Sequence, residues 1–354
     1  MRYRIYQEKC PYRLRSCVWE ITLACCFSCR YCGSRAGQKR ENELITEECL
    51  QVASQLADLG CHRVSLIGGE VFMRSDWPII AKSLTDRGVR VSIITNGFLF
   101  SEDLIQSLKQ ADVESIAVSL DGPEPIHDRF RQEGSFHRAI NAIDVLTANG
   151  ISVSVITTLH TENVSHLEEM YQMIRSKPIF AWQLQACSPM GNASSDEFST
   201  TIDFMDVIRF VESHLESAPF SIGVADNIGY YTPSELKIRG NVMGSRGFSG
   251  CRAGLTSVGI DSVGNVRGCE SMYDDFFVEG NLREKSLKEI WEDPNAFSYN
   301  RRFDLSRLEG KCSDCRYGSR CAGGCRSYNY FTSGKLYDSV HCARDEENSK
   351  QSIF

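Results

Sequence analysis

No apolar stretch in the 354 residues approaches the ~20 needed to cross a bilayer, and the opening Met1-Arg-Tyr-Arg-Ile-Tyr-Gln-Glu-Lys-Cys10 lacks the apolar segment of a secretory signal. The chain is therefore expected in the cytoplasm, without a membrane partner. No Lys/Arg run exceeds two residues and the net charge is -7, so the electrostatic footprint of a nucleic-acid binder is missing. The His residues form no metal-like spacing, and the acidic stretches at Asp274-Asp275 and Asp345 to Glu347 read as solvated surface. With 42% hydrophobic and 24% charged residues a large core can be buried, which excludes wholesale disorder.

Cysteine is abundant instead, at 16 residues. A long chain in a reducing compartment neither needs nor keeps disulfide staples, so metal ligation is the leading reading. The thiols are unevenly placed. Cys25, Cys26, Cys29 and Cys32 lie together, seven others fall between Cys251 and Cys342, and from residue 62 to 250 there is only Cys187.

The intervening body reads as alternating strands and helices. Residues 16–22 suit a strand, Thr46 is expected to cap a helix running to about Leu59, and Arg63 to Ile67 is strand-like again. Further helices are expected near 77–87, 101–110, 135–149, 163–176 and 201–217, with strands near 89–94, 113–119, 151–157 and 179–186. Strands joined by helices run parallel with right-handed crossovers, so the fold class is α/β, either a doubly wound sheet or a complete or partial barrel. Sites in such folds gather at the carboxyl ends of the strands. There the sequence places Cys25 to Cys32, Gly68-Gly69-Glu70, Thr95-Asn96-Gly97, Ser119-Leu-Asp121-Gly122 and Gln185-Ala-Cys187.

The spacing Cys25-x3-Cys29-x2-Cys32 offers three thiolates from one loop. An iron–sulfur cubane given three protein ligands keeps one iron open, whereas structural zinc asks for four ligands and no fourth with suitable local spacing follows Cys32. Cys26 sits one residue out of register. The pattern resembles the signature of the radical SAM superfamily, Cys-x3-Cys-x-aromatic-Cys, with Tyr31 in the aromatic slot. Gly68, Gly69 and Glu70 are similar to the family motif whose backbone and carboxylate receive the amino group of S-adenosylmethionine. The resemblance also implies that Tyr31 lies near the adenine, that Thr95, Asn96 and Ser119 line the nucleoside or methionine part, and that Arg131, in the segment His127-Asp128-Arg-Phe-Arg131, is a candidate carboxylate contact. An Arg in this place is more often a structural ion pair. The implied fold is a six-stranded partial barrel, (βα)6 and TIM-like.

The second zone reads Cys251-x17-Cys269, then Cys312-x2-Cys315-x5-Cys321-x3-Cys325, and Cys342. Read alone, its close pairs also suit zinc ribbons. It resembles the cysteine-rich SPASM extension of radical SAM enzymes, which carries two auxiliary clusters. The resemblance implies Cys251, Cys269 and Cys325 for the first, one ligand short, and Cys312, Cys315, Cys321 and Cys342 for the second. Some relatives carry a further cysteine shortly after the first, where this chain reads Arg-Ala-Gly-Leu-Thr256-Ser257, and the family often has a proline where it has Gly268. The implied organisation is an N-terminal strip over 1–15, a barrel over 16–220, a linking region over 221–250, a SPASM domain over 251–345 and a tail over 346–354.

The resemblance further implies the chemistry. An electron from a 4Fe-4S cluster splits S-adenosylmethionine, the 5'-deoxyadenosyl radical takes hydrogen from an unactivated carbon, and auxiliary clusters accept an electron, so that the net change is oxidative. The expected substrate is a ribosomally made precursor peptide and the expected product a cross-link, with flavodoxin or ferredoxin as electron donor. Only 24 residues precede Cys25, fewer than a leader-binding winged-helix domain needs, so leader recognition is expected from a separate protein, the barrel surface, or not at all. Alternatives are a sulfatase-type maturase, a small-molecule radical dehydrogenase, and, from another class, a zinc-bound scaffold without catalysis. Cys10, Cys17, Cys26, Cys49 and Cys61 read as inert buried thiols. Cys187, at the rim, could donate hydrogen to a substrate radical, which would make the enzyme an epimerase.

Overall fold

The computed structural model describes residues 10–193, 202–243 and 247–344. A single ten-stranded sheet runs through it. Its first strands are β1 (Ser16–Glu20), β2 (Arg63–Ile67), β3 (Arg90–Thr95), β4 (Ser115–Ser119), β5 (Val153–Leu159) and β6 (Ala181–Ala186). These neighbour one another in chain order and are all parallel. The helices between them are α1 (Thr46–Asp58), α2 (Trp77–Thr85), α3 (Glu102–Gln110), α4 (Glu124–Phe130), α5 (Ser135–Ala148) and α6 (Leu167–Ile174), with α7 (Phe204–His214) following β6.

The sheet extends beyond the expected six units at both edges. At one, β7 (Ser221–Val224) pairs in parallel with β6, inside the stretch read as a linker, and α8 (Glu235–Met243) packs behind it. At the other, β8 (Ser257–Ile260) pairs in parallel with β1, and the short antiparallel β9 (Asn265–Arg267) and β10 (Gly280–Asn281) follow. The four residues of β7 and of β8 are too few for period-two alternation to declare itself. The remaining helices, α9 (Leu287–Glu292), α10 (Ser298–Arg301), α11 (Gly318–Cys321) and α12 (Arg326–Ser333), carry the second cysteine zone.

One cap differs from the sequence reading. Ile45, not Thr46, is the N-cap of α1, because the Glu48 carboxylate accepts from Ile45 N at 2.9 Å while the Thr46 hydroxyl donates to Asp76 at 2.6 Å. The core lies between the sheet and its helices. Trp19 on β1 is fully buried, opposite Leu66 of β2 and Ile260 of β8, so one side chain fills the seam between the barrel strands and the cysteine-rich region. Trp19→Ala is expected to cost about 3–5 kcal/mol by opening a cavity there. Comparison of thermal unfolding midpoints of variant and parent checks this.

Candidate active site

The loop after β1 is tied into a closed shape by its own backbone. Cys25 N donates to Gly37 O at 2.8 Å and Gly37 N to Leu23 O at 3.0 Å, and Glu43 accepts from Leu23 N at 2.7 Å. Backbone amides also point at two sulfurs: Phe27 N lies 3.4 Å from Cys25 Sγ and Ala36 N 3.3 Å from Cys32 Sγ. Amides aimed at sulfur stabilise thiolate, as metal-ligating cysteines require. Burial pushes the Cys29 thiol up to about 11, so without metal it keeps its proton.

The loop after β2 packs against the cysteine loop by main chain. Gly69 N donates to Thr22 O at 2.9 Å and Glu70 N to Ala24 O at 2.7 Å. A Cβ at Gly68 would stand 2.6 Å from Thr22 O, and one at Gly69 would overlap Ala24 O. The glycines thus serve the approach of two backbones. The Glu70 carboxylate is buried behind the cavity lining and accepts from Thr95 Oγ1 at 2.9 Å, Asn96 N at 2.8 Å and Phe72 N at 3.4 Å; burial raises it to about 7. It therefore fixes the loop after β3, a task the motif alone does not reveal. Asn96 in turn donates to Cys26 Sγ at 3.4 Å.

Asp121, fully buried after β4, joins several elements. Its carboxylate accepts from Tyr31 OH and Arg131 Nε, and from Thr158 N at 2.7 Å. Burial alone would raise its pKa, but Arg131, then His127 and Tyr31, hold it below the usual carboxylate value. The segment from His127 to Phe136 supports this junction. His127 Nδ1 accepts from Asp121 N at 3.1 Å, and Asp128 accepts from Gly134 N and Phe136 N at 2.7 and 2.8 Å, closing the start of α5. Arg131 lines the cavity, but as a structural ion pair with Asp121.

These parts enclose one cavity of about 450 Å³. Cys25, Cys29, Cys32, Tyr31, Gly68, Gly69, Thr95, Asn96, Ser119 and Arg131 all line it, and Glu70 does not. Its far wall includes Cys187, Cys269 and Cys325. Asp226 and Asn227, just past β7, were missed in the sequence because that strand was not read. Asn227 clamps the backbone next to Cys187, donating to Ala186 O at 2.7 Å and accepting from Ala186 N at 3.1 Å.

In the second zone the electrostatic neighbours fall into two sets. Cys269 and Cys325 both feel Cys251, while Cys321 feels Cys342, Cys312 and Cys315. Ser339 N approaches Cys312 Sγ at 3.3 Å and Arg344 Nη1 approaches Cys315 Sγ at 3.0 Å. None of the 16 cysteines forms a disulfide. Among the described residues no group of three or more His, Cys, Asp or Glu is drawn together as for a single metal ion, and no helix is long and apolar enough to cross a membrane.

Fold and site together define an α/β barrel enzyme with cysteine-lined cofactor positions at the carboxyl rim of its sheet. The chain carries a radical SAM domain, matched by that superfamily's model over residues 19–174, and a SPASM iron–sulfur cluster-binding domain matched over residues 251–316. It is 28% identical over 345 residues to the AdoMet-dependent heme synthase of Methanosarcina barkeri, covering 93% of this chain and 96% of that protein. It is 27% identical over 320 residues to the mycofactocin maturase MftC of Mycobacterium tuberculosis, covering 89% and 79%. Among solved structures, Streptococcus suis SuiB bound to S-adenosylmethionine superposes with TM-score 0.75 at 17% identity, covering 92% of this chain and 76% of that one. Native anSMEcpe with bound AdoMet gives 0.70 at 17%, covering 95% and 96%. The chain is thus an enzyme that uses S-adenosylmethionine and iron–sulfur clusters, not a zinc-bound scaffold.

His127 gives this site a pH dependence. Burial, reinforced by Arg131, lowers it from 6.5 to about 4. The folded state therefore prefers neutral His127, and the stability this contributes is complete above pH 6.5 and lost as pH falls toward 4. The loss amounts to about 3 kcal/mol. Thermal midpoints between pH 7 and 4 are expected to fall more steeply in the parent than in His127→Asn, and parallel profiles would contradict the assignment.

Proposed function

We propose that the protein is a peptide maturase in which Cys25, Cys29 and Cys32 hold the cluster that binds S-adenosylmethionine, and the two cysteine sets of the second zone hold the auxiliary clusters. When bound, these groups supply a 5'-deoxyadenosyl radical and an acceptor for one electron. The chain's own residues do the rest. Asp121 and Glu70 fix the loops around the cofactor position, and the enclosing walls hold the reacting atoms together and exclude water. Tyr31, Thr95, Asn96 and Ser119 would meet the nucleoside and methionine portions.

The observation that carries the reading is the single cavity shared by Cys25, Cys29 and Cys32 with Cys269 and Cys325. A substrate carbon held there lies between the site of radical formation and an electron acceptor, as an oxidative modification requires. Charge favours a peptide. The one cation among the described lining residues, Arg131, is paired with Asp121, while Asp226 brings an exposed carboxylate. A porphyrin, which carries its carboxylates with it, would meet no free cation there. The mycofactocin maturase and the SuiB structure bound to its precursor peptide SuiA support the same choice. The heme synthase relative keeps a porphyrin as the second reading. Reduced flavodoxin or ferredoxin would supply the electron, and a separate protein could present the leader.

Anaerobic reaction with reductant is expected to release 5'-deoxyadenosine in the parent and in Cys269→Ala, but not in Cys29→Ala. Candidate precursor peptides are expected to lose hydrogen by mass spectrometry, whereas iron coproporphyrin should return unchanged. Porphyrin turnover without peptide turnover would reverse the assignment.

Cys187 favours one variant of this reading. Burial pushes its thiol up to about 12, so it keeps its S–H hydrogen on the cavity wall, at a backbone position held by Asn227. Such a thiol can return hydrogen to a substrate radical, giving an epimer instead of a cross-link. In D2O an epimerised peptide would gain one deuterium on carbon, and Cys187→Ala would lose that product while still releasing 5'-deoxyadenosine. A product that loses hydrogen and gains no deuterium assigns the cross-link.

A further inference from the structure

The set Cys251, Cys269 and Cys325 is one short of four cysteines, and the segment where some relatives place another, residues 252–257, contains none. That segment is covered by α10. Asn300 Nδ2 donates to Ala253 O at 2.8 Å and to Cys251 O at 3.3 Å, Arg301 Nε donates to Gly254 O at 2.8 Å, and Phe297 packs on Gly254. The helix is thereby pinned to the backbone that follows Cys251, and it carries Tyr299 with it.

Tyr299 is 7% exposed, and its hydroxyl is buried without a regular hydrogen bond. It abuts Gly268, the residue before Cys269, where any Cβ would overlap the phenol oxygen. Cys251 and Cys269 both lie close enough to act on the phenol electrostatically. A buried hydroxyl without a well-formed hydrogen bond costs about 1–3 kcal/mol, and the backbone that this one meets, at Gly268, adjoins Cys269. The two departures from the relatives' pattern, the absent cysteine and Gly268, thus converge on one oxygen.

We propose that Tyr299 Oη is the fourth ligand of the first auxiliary cluster, beside Cys251, Cys269 and Cys325. This rests on the reading that those three cysteines hold a cluster. On coordination the phenol proton passes to solvent and the phenolate takes the fourth iron, as ligand deprotonation accompanies metal binding in general. The first auxiliary cluster is then closed, and substrate does not bind its iron.

The test uses full-length protein reconstituted anaerobically, with Cys25, Cys29 and Cys32 replaced by Ala so that only auxiliary clusters remain. Electron paramagnetic resonance of the reduced protein is recorded with and without cyanide. The expected result is a spectrum indifferent to cyanide in this background, a cyanide-shifted spectrum once Tyr299→Phe is added, and indifference restored by Tyr299→Cys. Cyanide shifts that are equal with Tyr and Phe at 299, or absent from both, overturn the proposal. Iron content separates that failure from a failure of the underlying reading: if Cys269→Ala removes no iron from this background, the three cysteines hold no cluster and both fall.

Discussion

The arrangement depends on β1 being paired in parallel on both sides. Ser16 to Glu20 runs in register with Arg63 to Ile67 on one flank, and Ser16 to Trp19 with Ser257 to Ile260 on the other. Parallel strands present their carboxyl ends on one rim. The loop bearing Cys25 to Cys32 and the turn after β8, Asp261 to Gly264, therefore emerge on the same side of the sheet, and the antiparallel β9 then brings Cys269 back beside Gly259, although more than 200 residues separate the two zones in sequence. Were β1 an edge strand, nothing in the backbone would place the second cysteine zone over the first. The fully buried Trp19, shared by both pairings, makes the seam a continuous piece of core.

At the rim itself, order comes from buried carboxylates, Asp121 holding the cysteine loop directly through Tyr31 and Glu70 reaching it through Asn96. Glu70 and Asp121 are both almost inaccessible, and burying a charge is costly unless it is paired and hydrogen-bonded. Each meets that condition differently. Asp121 takes a guanidinium, a phenol and an amide and stays ionised. Glu70 takes a hydroxyl and two amides and is pushed toward neutrality. The consequence for the cavity is the same, since both groups spend their oxygens on protein and leave the walls weakly charged. Asp226 is the exception.

What could be read in the sequence was local. Cys25, Cys29 and Cys32 share one loop, Gly68 and Gly69 one turn, and long amphipathic segments such as Ser135–Ala148 announce themselves by periodicity. The residues after the strands line the cavity, and Arg131 among them is paired with Asp121. What stayed hidden depended on tertiary contact. The four-residue strand Ser221–Val224 carries no pattern of its own, so Asp226 and Asn227 could not be assigned to the rim. The task of Glu70 is visible only in the positions of Thr95 and Asn96. Tyr299, an ordinary core aromatic by composition, acquires its meaning from Gly268 and Cys251, which approach it from other parts of the chain.

Burial resolves an apparent conflict in a pocket so rich in thiols. Thiolates crowded into a poorly solvated cavity would repel one another and destabilise the fold, yet metal ligation requires thiolate. Burial raises the affinity of several of these sulfurs for protons instead: Cys29 moves to about 11 and Cys269 to about 12, and Cys321 and Cys325 are also raised, whereas Cys26, hydrogen-bonded by Cys25 and then by Asn96, moves down to about 6. The thiols so raised can stay neutral until iron takes the place of their protons. Cys187 experiences the same burial without sulfur neighbours in ligand spacing. Its proton is exchanged for nothing, and a thiol that keeps its hydrogen beside a radical site is chemically distinct from one that gives it up to a metal.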